Sequence, residues 1–105
     1  MAYERLRRKL TTENLWLYIL RMLKDRPMYA YEVKKSLKER FDFSPATVTV
    51  YVVLYRLLNA GLIRLRKEAG LLLRPERKYY EITEEGQQLL EKGIALLRSV
   101  EEKLH

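Results

Sequence analysis

The stretch SPATVTVYVVLYRLLNAGLIRL, residues 44 to 65, constrains this chain more than any other. Its middle, TVTVYVV, is built from β-branched and aromatic residues whose stiff side chains suit a strand. Its ends read as helix boundaries. Ser44 is a good N-cap and Pro45 a good first helical residue, while Gly61 stands where a helix C-terminus wants a left-handed residue, followed by apolar Leu62 and Ile63. The span between these signals is about four helical turns, too long for an ordinary strand. Within it Val50, Tyr51, Leu54, Leu57 and Leu58 follow a helical stripe that alternation alone would not produce. The tract is therefore read as a helix. Its valines and threonines together cost roughly 2–3 kcal/mol relative to alanine, which burial of the stripe must offset.

The flanking segments say what such a helix belongs to. Thr11 and Thr12 can cap a helix in which Leu15, Ile19, Met22 and Leu23 recur, and Asp25, Arg26 and Pro27 stop it. Tyr29 to Arg40 then shows two faces: Ala30, Val33, Leu37 and Phe41 on one, Tyr31, Lys34, Lys35 and Lys38 on the other. After Gly61, LIRLRKE alternates apolar and charged residues, AG can turn and RKYYEIT resumes the alternation, predicting a β-hairpin over residues 62–82 with a long, irregular tip. Thr83 caps a last helix, with Glu84 and Glu85 in its first turn. There Leu90, Leu97 and Leu104 are seven apart, Gly93 and Val100 fill the complementary heptad positions, and Ile94 and Leu96 broaden the stripe. Three helices, a hairpin and a further helix is the order of a winged helix-turn-helix. The expected fold is mainly α with a small β-hairpin: residues 1–83 form the DNA-binding module with a basic leader, and 84–105 a C-terminal dimerisation helix within one structural unit.

Charge and composition narrow the function. The 105 residues make one modest domain that a second subunit would help to stabilise. Residues 1–80 hold 18 basic and 8 acidic side chains, whereas 81–105 hold 3 and 6, so the body seeks a polyanion and the tail does not. With no cysteine and a lone histidine at the last position, His105, thiol chemistry and Cys/His metal sites are excluded. The carboxylates lie mostly among lysines at helical spacing and read as a solvated, ion-paired face, so neither an enzyme nor a cofactor is expected. Arg21 and Lys24 interrupt the apolar run LWLYIL before it could serve as a signal segment or span a bilayer, which points to a cytoplasmic protein without a membrane partner.

In a winged helix the second helix of the turn motif enters the major groove while its neighbours hold phosphates. Opposite the inward stripe, Thr47, Thr49, Val52, Val53 and Arg56 are expected to face the bases. Their hydroxyls and methyls can meet base edges and thymine methyls, but only Arg56 can make a bidentate guanine contact. Phosphates are expected at Tyr31, Lys34, Lys35 and Lys38, and on the wing at Arg74, Arg77 and Lys78. Plainer readings stand beside these. The lysines can be an ordinary solvated face, Tyr51 a packing residue, and one of Tyr79 and Tyr80 core with the other exposed. Leu71, Leu72 and Leu73 near the wing tip have no preferred account.

ILRMLKDRPMYAYEVKKSLKERF, TVYVVLYRLLNAGLI and RKYYEITEEGQQLL together resemble the PadR family of transcriptional regulators over roughly residues 15–90. Tyr31 and Glu32 match that family's GYE segment, Tyr51 its recognition-helix tyrosine, and Arg77, Lys78, Tyr79, Tyr80, Thr83 and Gly86 its wing-to-helix motif. Ala30 replaces a glycine, Val52 replaces a proline, and the charges that follow are reduced to Arg56. The resemblance implies a homodimer formed through the first and last helices, with Leu90, Gly93, Ile94, Leu97, Val100 and Leu104 at the interface. It also implies a cavity between subunits for a planar aromatic effector, which Trp16 and Tyr18 would line; tryptophan as dimer-core filler is the plainer reading. The leader YERLRRKL can lengthen the first helix, cross to the other subunit, or lie on DNA as a basic arm. The expected function is a dimeric repressor of the PadR type. A nonspecific, chromatin-like DNA coater and a winged-helix protein-interaction module are the rivals.

Overall fold

The computed structural model describes residues 1–66 and 78–105. In order they form α1 (Ala2–Leu10), a 3-10 turn (Thr12–Asn14), α2 (Leu15–Asp25), α3 (Ala30–Phe41), α4 (Thr47–Asn59), β1 (Ile63–Leu65), β2 (Tyr80–Ile82) and α5 (Glu84–Lys103). This is the winged helix-turn-helix order, mainly helical with one small antiparallel pair. Of the hairpin expected over residues 62–82, the tip, including Leu71 to Leu73, lies outside the described residues.

Helix α2 is the hub. Leu15, Ile19, Leu20, Met22 and Leu23 are all buried, and around them gather Val33 and Leu37 of α3, Val50, Leu54 and Leu57 of α4, Ile63 and Tyr80 of the strands, and Leu90 of α5. Its start differs from expectation. Thr11 closes α1 instead, its hydroxyl donating to the Arg7 carbonyl at 2.6 Å, and the 3-10 turn separates the two helices. The basic leader is thus a helix of its own with no buried residue. At the other end Asp25 accepts from Arg21 at 2.8 Å and from Arg40 of α3 at 2.9 Å. Those two guanidinium hydrogen bonds hold the Asp25 carboxyl below its usual range.

The start of α4 also differs. Ser44 is no cap; Ala46, in an extended conformation, takes that place and the helix begins at Thr47. The C-terminal end follows the sequence signal. Gly61 takes φ +74°, its N–H donates to the Leu58 carbonyl at 3.1 Å, and Leu62 N–H reaches the Leu57 carbonyl at 3.0 Å. That pair of bonds satisfies carbonyls left over at the helix end.

The strands pair Ile63 with Ile82 and Leu65 with Tyr80. Unanticipated is Met28, which exchanges both backbone hydrogen bonds with Tyr80, at 3.1 and 2.8 Å, and so anchors β2 to the segment entering α3. The Thr83 hydroxyl accepts from Gly86 N–H at 3.1 Å, capping α5, and donates to the Gly61 carbonyl at 2.7 Å. One side chain therefore ties the end of α4 to the start of α5. Gly86 completes that junction, since a Cβ there would sit 2.1 Å from the Leu62 carbonyl oxygen and 2.8 Å from Ile82 Cγ1.

Gly86→Ala is accordingly expected to lower unfolding free energy by about 2 kcal/mol or more in urea titrations, because backbone must move to admit the methyl; a change within about 0.5 kcal/mol would contradict the close approach. The Asp25 contacts predict a pH effect with a definite sign. A carboxyl whose folded pKa is depressed stabilises above its unfolded pKa, and that stability is lost as pH falls through the folded value. Arg40→Met should raise the Asp25 pKa toward the ordinary range in a carboxyl NMR titration, and no movement would contradict the pairing.

Candidate nucleic-acid interface

Residues on α4 are set by the arc that Val50, Leu54 and Leu57 bury. The opposite arc presents Val48, Tyr51, Val52, Tyr55 and Arg56 to solvent. Of the five residues expected there, Val52 and Arg56 are exposed on that arc and Thr47 is exposed at the first turn. Thr49 and Val53 are half-buried, and Val53 packs against the core, which removes it from the outward face. Tyr51, read as a packing residue, is 52% exposed. The reason is angular: at about 100° per residue, Val53 lies nearer the centre of the buried arc than Tyr51 does. The surface that results is apolar and aromatic with one cation, Arg56. Its methyls can pack on thymine methyls, its phenols can donate or accept, and its guanidinium can fork onto guanine.

Beside this arc runs the exposed side of α3. Tyr31, Lys34, Lys35 and Lys38 line one open depression of about 510 Å³, together with Glu39, Asp42 and Ser44. The lysine row expected from sequence therefore shares one surface, which it divides with the carboxylates of Glu39 and Asp42. Glu32 serves the helix start instead, accepting from Tyr29 N–H at 3.2 Å and pairing with Arg26 at 3.0 Å. The sequence reading missed a tyrosine cluster that joins these parts. Tyr29 stacks on Tyr31 with ring centres 6.4 Å apart and meets Tyr79 edge-on at 5.5 Å. Burial, and then the Tyr51 phenol nearby, push the Tyr80 hydroxyl above its usual pKa. Only the abundance of tyrosine in YAYE, TVY and RKYY signalled it. Of the wing cations, Lys78 is exposed, and Arg74 and Arg77 lie outside the described residues.

The stripe on α5 divides in two. Leu90 is core, and Gly93 and Ile94 are half-buried; a Cβ on Gly93 would come within 2.9 Å of Leu17 Cδ1 and 3.1 Å of the Trp16 ring. Leu90 therefore serves packing within the chain, which corrects its expected place between subunits, while Gly93 packs on Trp16 and Leu17 and Ile94 on the core, each with part of its surface open. Leu96, Leu97, Val100 and Leu104 are left exposed, Leu104 at 80%. Trp16 lines a pocket of about 190 Å³ with Leu10, Asn14, Leu17, Gly93, Leu96 and Leu97. Tyr18 packs edge-on against Phe41 and Phe43, at 4.9 and 5.1 Å, with its hydroxyl donating to the Leu10 carbonyl. Among the described residues no cluster could hold a metal ion, and no helix is long and apolar enough to cross a membrane.

Residues 19–92 match the sequence model of the transcriptional regulator PadR-like family. No curated protein matches the chain. Among solved structures it is similar to a PadR family transcriptional regulator from Eggerthella lenta DSM 2243, with 28% identity and a TM-score of 0.75, covering 99% of this chain and 93% of that one. A PadR-like transcriptional regulator from Bacillus cereus strain ATCC 14579 is similar at 30% identity and a TM-score of 0.71, over 86% of each chain. The Bacillus subtilis PadR solved in complex with operator DNA is similar at 26% identity and a TM-score of 0.65, over 76% of this chain and 46% of that one.

The two arcs of α4 predict opposite responses to truncation. Leu54→Ala should cost about 2–5 kcal/mol in a denaturant titration, whereas Tyr55→Ala, on an exposed arc, should stay within about 0.5 kcal/mol of the unaltered protein. Comparable losses at both positions would contradict the assigned helix orientation.

Proposed function

The chain belongs to the PadR-like family of transcriptional regulators, and on that premise we propose that it is a homodimeric repressor acting in the cytoplasm, which binds double-stranded DNA through α3 and α4 and occludes a promoter. The observation that carries this reading is the outward arc of α4 set beside the lysine row of α3. A helix of this diameter fits the major groove, where Val48 and Val52 meet thymine methyls, Arg56 reaches guanine, and Tyr51 and Tyr55 offer hydroxyls. Lys34, Lys35 and Lys38 take phosphates on one side, and Lys78 with Arg74 and Arg77 takes them on the wing. The operator DNA in the Bacillus subtilis complex supports the choice of ligand.

The dimer rests on the far half of α5. Leu96, Leu97, Val100 and Leu104 expose an apolar strip that a second copy would cover, and a two-fold axis there sets two α4 helices about one DNA turn apart. A planar aromatic effector would stack on Trp16. Its pocket of about 190 Å³ is smaller than a usual ligand site, so the second subunit must supply further walls.

One observation favours a different reading: α4 carries a single cation, as a nonspecific DNA coater would. Fragments selected from random DNA, compared with scrambled duplex by anisotropy at two salt concentrations, distinguish them. The repressor prefers the selected fragment at both; a coater prefers neither. Lys35→Ala should weaken binding to both DNAs and reduce the slope of log affinity on log salt by about 0.9, while Arg56→Ala should erode the preference and cost about 1–3 kcal/mol on the selected fragment alone. Indistinguishable effects of the two variants would overturn that division of roles. For the dimer, Leu97→Glu should give a monomer in sedimentation equilibrium, and an unchanged mass would refute the α5 contact.

A further inference from the structure

Lys34 and Thr47 meet across the angle between α3 and α4, the ammonium donating to Thr47 Oγ1 at 2.6 Å. Both line a notch of about 250 Å³ whose other walls are Ala30, Tyr31, Val50 and Tyr51. Ala30 and Val50 are buried, so the core closes the notch from below, and the exposed Tyr31 and Tyr51 wall it. Among the described residues no carboxylate lines it. An ammonium has three donors and no acceptor. Thr47 engages one, which leaves two for an anion seated at the mouth. A lysine on a free stem gives up rotamer freedom when it binds; this one is already held.

We infer that the notch between α3 and α4 seats one backbone phosphate of DNA, with Lys34 as its cationic ligand and Thr47 as the positioning residue that holds Lys34. This rests on the DNA-binding reading above and changes one part of it: Thr47, expected at base edges, acts through its neighbour and carries no sequence preference. The two roles leave different signatures. A base reader acts on some sequences and adds to losses elsewhere, whereas a residue that holds a phosphate ligand acts on every sequence and only while that ligand is present.

The test uses the full chain and two labelled duplexes of arbitrary sequence, about 30 base pairs each, one A·T-rich and one G·C-rich, titrated by anisotropy across a salt series. Thr47→Val should weaken both duplexes alike, by about three- to tenfold, with the salt slope of the unaltered protein, because the charge is kept and only its placement is lost. Thr47→Ser should restore affinity, and Thr47→Ala, which removes the hydroxyl without the branched methyl, should repeat the valine result. Lys34→Ala should lower the slope by about 0.9, and the double variant Lys34→Ala/Thr47→Val should bind no more weakly than Lys34→Ala. Loss on one duplex only, additive losses in the double variant, or full affinity in Thr47→Val would each overturn the seat while leaving DNA binding intact. Failure of the unaltered protein to bind either duplex at low salt would overturn the DNA-binding reading, and the seat with it.

Discussion

Burial of Val50, Leu54 and Leu57 against the α2 hub makes a helix of a tract whose local preferences run toward a strand. Three large side chains removed from water contribute roughly 1.5–3 kcal/mol each, which exceeds the 2–3 kcal/mol lost to β-branching. The same burial fixes the helix about its axis. Once that arc is inward, Val48, Tyr51, Val52, Tyr55 and Arg56 have no choice but to face out. Core packing and the outward surface of α4 are therefore two consequences of one constraint.

Most of the framework was legible because its signals are local. The 3.6-residue stripes of α2 and α3, the left-handed glycine after α4 and the threonine cap of α5 each depend on residues within a few positions of one another. What the sequence hid is non-local. Met28 joins the sheet by pairing with Tyr80, far along the chain, and no pattern within RPMY announces it. Gly86 stands out in the sequence only as part of a motif, and the partner it approaches, the Leu62 carbonyl, is visible only in three dimensions. Tyrosine was the most ambiguous letter. It is apolar enough to join a stripe and polar enough to leave it, so Tyr51 was drawn inward and the Tyr29–Tyr31–Tyr79 contacts went unseen. The α5 heptads misled in another way: one stripe runs from core to surface, and Leu90, expected at a partner, is buried within its own domain.

Chemically, the interface separates grip from reading. Cations gather on α3, where the proposed reading puts phosphates, while α4 offers methyls, phenols and one guanidinium. A surface of that kind discriminates bases through thymine methyls and the fit of aromatic rings more than through paired hydrogen bonds. Affinity and preference then respond to different changes in solution, since salt weakens the grip without altering the shapes that are read.

The central claim is that DNA lies on the face made by α3 and the outward arc of α4. Backbone amide shifts recorded by NMR while an unlabelled duplex is titrated into the full chain test it most directly. Shifts concentrated at residues 31–38 and 47–56, with the far half of α5 unmoved, are the result this account requires. Shifts confined to α1 or to the Leu96–Leu104 strip, with α4 silent, would contradict it.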